Sequence, residues 1–405
     1  MIPSLTLVAT KSSESPKRIL VLDPQKFFYR GGDEEVIMQA VKAGDLEPNS
    51  FIWFLDPFGK TMVGLGSESD VLLTLDKKEM ERFEKRDAFE NYMLIRLPEW
   101  LGGGQDDVSA FRSYHAVSLS DNCLSRYWPA EGRWRIENPC AGDIYRPWDG
   151  LAVAGPASGG YVGGTVSRGH HPALQELRLA VDSQGYIIAF RPDNSLYGDG
   201  VQGNGKALSP AALKESNNKL IAAASQYAGY PLPFLTSIPP DYDLSDLYPA
   251  PVPWWLKPAS PKPPMEATYS NYREYGAIIM DVYPIEDFPE LELGGPLVSS
   301  SADSGYLVNS TLASALMPLD YYYRPSGEIW QVRNGTDIAG DYAILIAPAE
   351  SKDGDYPGAG VLIWGMSAEG KKDLLGAMKA RNMTIDELVS LARGIGIVKA
   401  VHPAG

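Results

Sequence analysis

Residues 118–157 read SLSDNCLSRYWPAEGRWRIENPCAGDIYRPWDGLAVAGPA, and this stretch decides how the first half of the chain is interpreted. It contains both cysteines of the chain, Cys123 and Cys140, and no histidine. A cysteine nucleophile needs a general base beside it, and no histidine stands at a matching motif position. A catalytic thiol is therefore not indicated.

The same stretch resembles the cluster-binding core of the Rieske iron–sulfur proteins. Residues 140–145, Cys-Ala-Gly-Asp-Ile-Tyr, match the family's Cys-His-Gly-Ser-x-Tyr segment, and Gly155-Pro156-Ala157 matches its proline loop. The segments around residues 138–140 and 145–150 are most similar to archaeal branches of the family. The resemblance extends over about residues 18–209 and implies an antiparallel β domain.

In this register the four positions of the cluster ligands hold other residues, namely Ser118, Ser120, Asn138 and Ala141. A Rieske centre holds one iron by two thiolates and the other by two imidazoles. Moving the cysteines onto ligand positions does not repair the site, because Ser125 and Asp143 then stand where histidines are needed. The resemblance thus implies a degenerate site with no cofactor and no metal. A [2Fe-2S] cluster with non-standard ligands is the alternative.

Cys123 and Cys140 match the two non-ligand cysteines that form a disulfide in many Rieske proteins. The resemblance therefore implies a small subdomain stapled by this disulfide, and two buried free thiols are the alternative. Tyr145 matches a tyrosine whose hydroxyl bonds a cluster ligand in the family. Side-chain oxygen atoms in the two segments that match the ligand loops of the family could act as ligands of a hard cation. The alternative is that the two segments lie against one another and these side chains form hydrogen bonds between them. The residues concerned are Ser118, Ser120, Asn138 and Asp143.

Charge and composition exclude several classes of function. The formal net charge of −15 argues against binding to nucleic-acid backbones and to anionic membranes. The sequence contains no run of about 18 apolar residues, so no membrane-spanning helix is predicted. The apolar stretch within the first ten residues is too short for the hydrophobic region of a signal peptide. A Rieske-type oxygenase needs a second iron held by two histidines and a carboxylate, and the four scattered histidines of this chain do not supply both sites. They are His115, His170, His171 and His402.

Four regions are predicted along the chain. Residues 1–17 form a flexible tail, 18–210 the Rieske-like domain, 211–265 a helix and a proline-rich linker, and 266–400 an α+β domain. The proline density of residues 231–264 predicts an extended spacer without helix or strand pairing.

Apolar runs and alternation predict the individual elements. Strands are expected at 18–22, 36–41, 51–55, 92–98, 111–118, 177–182, 186–190, 275–282, 330–333, 342–346 and 361–364, and helices at 76–90, at 367–380 and from Thr384 to Gly394. The last strands and helices resemble extracytoplasmic sensor domains with curved sheets.

These observations predict a mainly β protein with a Rieske-like antiparallel β-sandwich domain followed by an α+β domain. The resemblance implies a non-catalytic structural or recognition subunit of a membrane respiratory complex of the cytochrome b type. Two alternatives remain open: a Rieske-type electron-transfer protein with non-standard ligation, and a soluble binding or sensor module acting through the second domain. An extracytoplasmic, peripheral location follows from the family and from the expected disulfide.

Overall fold

The computed structural model describes the chain in segments, and every statement below concerns these residues. They are 16–22, 28–30, 33–58, 72–75, 91–105, 107–121, 123–129, 133–162, 165–166, 171–190, 205–235, 238–250, 263–271, 276–284, 293–296, 306–308, 323–324, 330–334, 342–351, 359–366, 374–381, 391 and 394–397. The chain divides into two compact units. Unit 1 comprises residues 1–99 and 103–209, and unit 2 comprises 100–102 and 210–405.

Unit 1 is built of short antiparallel strands. They are β1 Lys17–Arg18, β2 Leu20–Leu22, β3 Phe28–Arg30, β4 Asp33–Ala40, β5 Ser50–Leu55, β6 Leu72–Leu75, β7 Asn91–Arg96, β8 Phe111–His115, β9 Arg126–Trp128, β10 Arg135–Glu137, β11 Ile144–Tyr145, β12 Ala152–Ala154, β13 Tyr161–Val162, β14 Thr165–Val166, β15 His171–Leu174, β16 Leu179–Val181, β17 Ile187–Ala189 and β18 Gly205–Leu208. A one-turn helix, α1, spans Gly155–Ser158, and 3₁₀ turns span Ala43–Asp45 and Val108–Ala110. A further 3₁₀ turn, Glu99–Leu101, has its last two residues in unit 2.

The core of unit 1 lies around β7, which is buried at all six positions. The sheet order β5-β7-β8 places this strand in the centre, and a strand covered on both faces has a continuous apolar sequence. Residues of the sheet β1-β17-β16 belong to the same core, among them Ile187 and Ala189, together with Ile19 beside β1. The strands predicted at 51–55, 92–98 and 186–190 are confirmed here.

A second sheet of unit 1, in the order β12-β11-β10-β9, positions the candidate site. The β8–β9 connection, residues 116–125, is called the first loop. The β10–β11 connection, residues 138–143, is called the second loop. The first loop ends at β9 and the second joins β10 to β11, and since β9 pairs with β10 and β10 with β11, both loops border the same small sheet.

Unit 2 combines one long helix with antiparallel strands. Helix α2 spans Pro210–Ala228, and the strands are β19 Pro233–Leu235, β20 Asp243–Pro249, β21 Met265–Asn271, β22 Gly276–Pro284, β23 Leu293–Pro296, β24 Tyr306–Val308, β25 Tyr323–Arg324, β26 Trp330–Asn334, β27 Tyr342–Ser351, β28 Ala359–Met366, β29 Leu374–Arg381 and β30 Ile395–Ile397. An eight-stranded sheet runs β20-β21-β22-β29-β28-β27-β25, with β26 also pairing with β27. Four strands predicted in this half of the chain correspond to β22, β26, β27 and β28.

Helix α2 ends where its sequence indicates. Leu220, Ile221, Ala224 and Ala228 are buried, which is the spacing of one helical face. Gly229 follows with a φ of +75°, and its N–H donates to the carbonyl of Ser225. Glycine adopts this left-handed conformation without a steric penalty, so it closes the helix.

The prediction of an extended proline-rich spacer is wrong for the described residues of 231–264. Strand β19 pairs with β30, and β20 pairs with β21 at the edge of the large sheet. Prolines 233 and 249 stand at strand ends, where a missing N–H is tolerated. Phe234 and Leu244 are fully buried, so this segment belongs to the core of unit 2.

The helix predicted over residues 367–380 is also wrong, because residues 374–381 form β29 between β22 and β28. A short apolar run on a central strand has no periodicity that separates it from a buried helix. The helix predicted over 76–90 lies outside the described residues, and so does the helix predicted from Thr384, apart from Leu391 and Gly394. The predicted tail of 1–17 also lies outside them except for Pro16 and Lys17, and Lys17 belongs to β1. Within the described part of the chain, no helix is long and apolar enough to cross a bilayer.

Candidate functional site

Each loop is closed by its own backbone. In the first loop the N–H of Ser118 donates to the carbonyl of Cys123 at 2.9 Å. In the second loop the N–H of Asn138 donates to the carbonyl of Asp143 at 2.9 Å, and Gly142 adopts a φ of +77° in the turn. The two closed loops present their side chains to one another.

Cys123 of the first loop and Cys140 of the second form a disulfide, with their Cα atoms 6.2 Å apart. This separation lies within the range that a disulfide requires. The predicted pairing is confirmed, and the alternative of two free thiols is wrong, since both cysteines of the chain are in the bond.

Asp143 is the centre of the contacts between the loops. Its Oδ2 accepts a hydrogen bond from Ser118 Oγ at 2.6 Å and another from Ser120 Oγ. Its Oδ1 accepts from the backbone N–H of Ala157 at 2.8 Å, in the proline loop. Ser118 and Asp143 have no exposed surface. A buried carboxylate is costly unless it is hydrogen-bonded, so these donors hold three segments together.

Tyr145 completes the network from β11. Its hydroxyl accepts the N–H of Leu119 at 2.9 Å and lies 2.9 Å from Ser118 Oγ and 3.3 Å from Asp143 Oδ2. Burial raises the pKa of Tyr145, and the negative charge of Asp143 raises it further, although the hydrogen bond with Ser118 and the one from the N–H of Leu119 oppose the shift. The phenol is therefore neutral and donates into the network.

Asn138 joins the loops beside the disulfide. Its Nδ2 donates to Asp121 Oδ1 at 3.0 Å and lies 3.4 Å from Asp143 Oδ2, while its Oδ1 accepts the N–H of Cys140 at 2.9 Å. Asp121 Oδ1 also accepts the N–H of Cys123 at 2.9 Å. The amide of Asn138 thus reaches the first loop through Nδ2 and supports its own loop through Oδ1.

Gly155 allows the proline loop to approach this network. It has a φ of +77°, and a Cβ there would lie 2.6 Å from Asp143 Oδ1 and 2.7 Å from the carbonyl of Gly142. Only glycine fits such a close approach in this conformation. The glycine of the Gly-Pro-Ala sequence is therefore explained by its packing against the carboxylate.

The residues at the implied ligand positions do not fit an iron–sulfur cluster. Ser118, Ser120 and Asn138 meet at the network and offer two hydroxyls and one amide, and Ala141 offers a methyl group. A Rieske centre requires two thiolates and two imidazoles. His115 is buried in β8 with its ring 5.1 Å from that of Tyr92, and the oxidised cysteines supply no thiolate.

Two features were not predicted from the sequence. Asp121 supports both loops, and the only signal for it is an Asp two residues before Cys123, which is typical of an Asx turn. Arg146 and Asp149 form a buried ion pair, with Arg146 Nε 2.9 Å from Asp149 Oδ1. This pair fixes the turn between β11 and β12, and its signal is the Arg-x-x-Asp-Gly spacing.

Comparison with known proteins gives only distant similarity. No family model matches the chain, and no curated protein matches it. Among solved structures, the Rieske monooxygenase CntA with gamma-butyrobetaine has 9% identity and a TM-score of 0.22, covering 86% of this chain and 70% of that one. The terminal oxygenase of carbazole 1,9a-dioxygenase from Novosphingobium sp. KA1 has 9% identity and a TM-score of 0.21, covering 87% and 75%.

A third structure, MucB in complex with MucA(peri), has 10% identity and a TM-score of 0.20, covering 95% of this chain and 93% of that one. Superpositions this distant carry no argument about function. The interpretation therefore depends on the residues and contacts of the two loops.

Proposed function

We propose that this protein is a non-catalytic, Rieske-like protein in which a hydrogen-bonded network stands where a cluster would be held. The observation that carries the proposal is the convergence of Ser118 and Ser120 on the buried carboxylate of Asp143. These two serines occupy positions that the sequence resemblance assigns to cluster ligands. Their hydroxyls donate to a carboxylate.

The network supports a structural role because it satisfies its own polar groups. The carboxylate has donors from both loops and from Ala157, and Tyr145 is held as a neutral donor. Loops that are tied by such contacts keep their shape without a metal, whereas metal-dependent sites lose their structure when the metal is removed. The surface formed by these loops is then available for recognition of a partner.

The partner and location follow from the same resemblance. We infer a structural or recognition subunit of a membrane respiratory complex of the cytochrome b type, bound at the extracytoplasmic side. The Cys123–Cys140 disulfide supports an oxidising compartment. The net charge of −15 favours attachment through protein contacts over adsorption to anionic lipid.

The test is the iron content, visible absorption and paramagnetic resonance of protein purified from its native source. The proposal predicts a colourless protein without stoichiometric iron. Stoichiometric iron with a Rieske-type signal would overturn it in favour of electron transfer through non-standard ligands. Adjacency of the gene to a cytochrome b gene separates the proposed subunit from a soluble sensor module, which would show no such association.

A further inference from the structure

Three groups that ligate transition metals meet at the edge of the two loops. One ligand atom each from Asp121, Cys123 and Cys140 lies within 4.8 Å of the others. Asp121 and Cys123 are half-buried and Cys140 is exposed. In the oxidised protein the two sulfurs bond each other, so neither is the thiolate that a metal requires.

We propose that reduction of the Cys123–Cys140 disulfide converts this corner into a Zn²⁺ site. The two thiolates and the Asp121 carboxylate supply three ligands, and water takes the fourth position of a tetrahedral ion. Two thiolates beside a carboxylate repel one another, and a divalent cation that accepts sulfur ligands relieves that repulsion. The proposal does not depend on the function proposed above.

The loops have contacts that keep the thiols together after the disulfide opens. Asp143 in the second loop binds Ser118 and Ser120 in the first, and Asn138 binds Asp121. None of these contacts involves a sulfur atom. Cleavage of the disulfide removes one connection of several, so the two thiols stay on facing loops.

Asp121 is already oriented for this role. Its Oδ1 accepts the N–H of Cys123 at 2.9 Å and Nδ2 of Asn138 at 3.0 Å. Such supporting hydrogen bonds fix a ligating carboxylate and are a regular part of metal sites. We assign Oδ2 of the same carboxylate to the metal.

The reductant is a dithiol, either a small molecule or a protein. Its thiolate attacks Sγ of the exposed Cys140, the disulfide breaks, and Cys123 leaves as a thiolate that takes a proton. The second thiol of the reductant then closes its own disulfide and releases Cys140. Two electrons pass from the dithiol to the cystine, and Zn²⁺ binding releases the remaining thiol protons to solvent.

The experiment titrates Co²⁺, a coloured substitute for Zn²⁺, into the full chain after dithiol reduction and anaerobic removal of the reductant. We expect one Co²⁺ per chain, with thiolate-to-cobalt charge-transfer and tetrahedral d–d absorption, and its displacement by Zn²⁺. The oxidised protein should give neither band. Cys140→Ser should weaken the charge-transfer band and Co²⁺ binding.

Asp121→Asn tests the carboxylate, since the amide oxygen still accepts the N–H of Cys123. It should weaken Co²⁺ binding by about tenfold or more, the least that loss of a supporting group costs a metal site. Asp107→Asn is the matched control, because Asp107 Oδ1 accepts the N–H of Ser109 in a similar turn without cysteines. Its Co²⁺ affinity should equal that of the unmodified chain.

Three results would overturn the proposal. The first is a reduced chain that shows no sulfur-to-cobalt absorption. The second is Co²⁺ binding that is equally strong in the oxidised chain or in Asp121→Asn. The third is loss of the β circular dichroism on reduction, since the Asp143 contacts would then be too weak to hold the loops. None of these results bears on the iron content that tests the proposed function.

Discussion

Ser118 Oγ lies 2.6 Å from Asp143 Oδ2, and this hydrogen bond ties the loop after β8 to the loop after β10. The two residues are 25 positions apart in the chain, and both are fully buried. A charge-assisted hydrogen bond in such a place is stronger than a neutral one, and the lone carboxylate would be costly without it. The same carboxylate also binds the proline loop, so it organises the whole subdomain.

Replacing Asp143 with Ala should destabilise unit 1 strongly. The hydroxyls of Ser118 and Ser120 and the N–H of Ala157 would lose their acceptor inside the protein. Each buried donor left unsatisfied costs about 1–3 kcal/mol, so a loss of roughly 3 kcal/mol or more in the free energy of unfolding is expected. Urea denaturation measures it. Asp143→Asn keeps an acceptor and should lose less, and equal losses for both variants would contradict the argument.

Gly155→Ala should be destabilising although it adds a single methyl group. The φ of +77° is strained for alanine, and the new Cβ would meet Gly142 O and the Cα of Asp143 at 2.7 Å. Backbone strain of this kind costs roughly 1–3 kcal/mol before the overlap is counted. Gly185→Ala is the control, since φ is +85° there but nothing lies within 4 Å. Thermal melting of the two variants separates the backbone strain, which both share, from the steric overlap, which only Gly155→Ala has. Similar melting temperatures for both variants would contradict the close approach of Gly155 to Asp143.

Removal of the disulfide should lower stability without abolishing the fold. A double Cys123→Ser, Cys140→Ser variant should lose roughly 2–5 kcal/mol, largely because its unfolded chain gains freedom. Alkylation without reductant followed by mass spectrometry should modify neither cysteine of the unmodified chain. An unchanged melting temperature of the double variant would count against a stapled subdomain.

Acid should weaken the contact between β1 and the β16–β17 turn. Asp182 Oδ2 accepts from Arg18 Nη2 at 2.6 Å, and its Oδ1 accepts the N–H groups of Gln184 and Tyr186. Burial alone raises the pKa of Asp182, but the hydrogen bonds from Tyr186, Arg18 and Gln184 outweigh it, and the net shift is downward. Its stabilising effect is therefore present above the unfolded pKa of about 3.9 and is lost as the pH falls through the lower folded value.

Unfolding free energies of the native chain and of Asp182→Asn, measured between neutral pH and about pH 3, check this dependence. The difference between the two proteins should shrink as the pH falls. A difference that stays constant over this range would show that the folded and unfolded pKa values of Asp182 are equal.

The sequence predicts the parts of this protein that depend on local pattern. The strands at 51–55 and 92–98 follow from apolar runs, and the disulfide follows from the resemblance around Cys140. The helix predicted over 367–380 was wrong because residues 374–381 form a strand, and a buried central strand and a buried helix share an apolar composition. The spacer prediction was wrong at prolines 233 and 249 because a proline is tolerated at the end of a strand. Only the pairing within the sheet determines where these strands end.

The contacts of the site were the hardest part to foresee. Hydrogen bonding between the side chains of Ser118 and Asp143 was one of the two expectations for the loops, but the sequence does not show that the N–H of Ala157 joins the same carboxylate. The convergence of Ser118, Ser120 and Asn138 was expected only through the resemblance. The contact of Asp121 with Asn138 joins residues 17 positions apart, and sequence spacing does not establish it. The Arg146–Asp149 pair is local, and its Arg-x-x-Asp-Gly spacing is a signal that was not used.

Restoring the implied ligands tests whether these loops are of the Rieske kind. Ser118→Cys, Ser120→His, Asn138→Cys and Ala141→His together supply two thiolates and two imidazoles. The same changes remove the two hydroxyls that donate to Asp143, so the fourfold variant buries a carboxylate with fewer donors where the cluster must enter. It should take up little iron and unfold at lower denaturant concentration than the native chain.

Adding Asp143→Ser to the fourfold variant, which restores the serine of the family's Cys-His-Gly-Ser segment, should remove that buried charge. The fivefold variant should then take up iron in anaerobic reconstitution and give a Rieske-type paramagnetic signal, while Asp143→Ser alone should give none. A folded fivefold variant that takes up no iron would show that the two loops do not have the geometry of a cluster site.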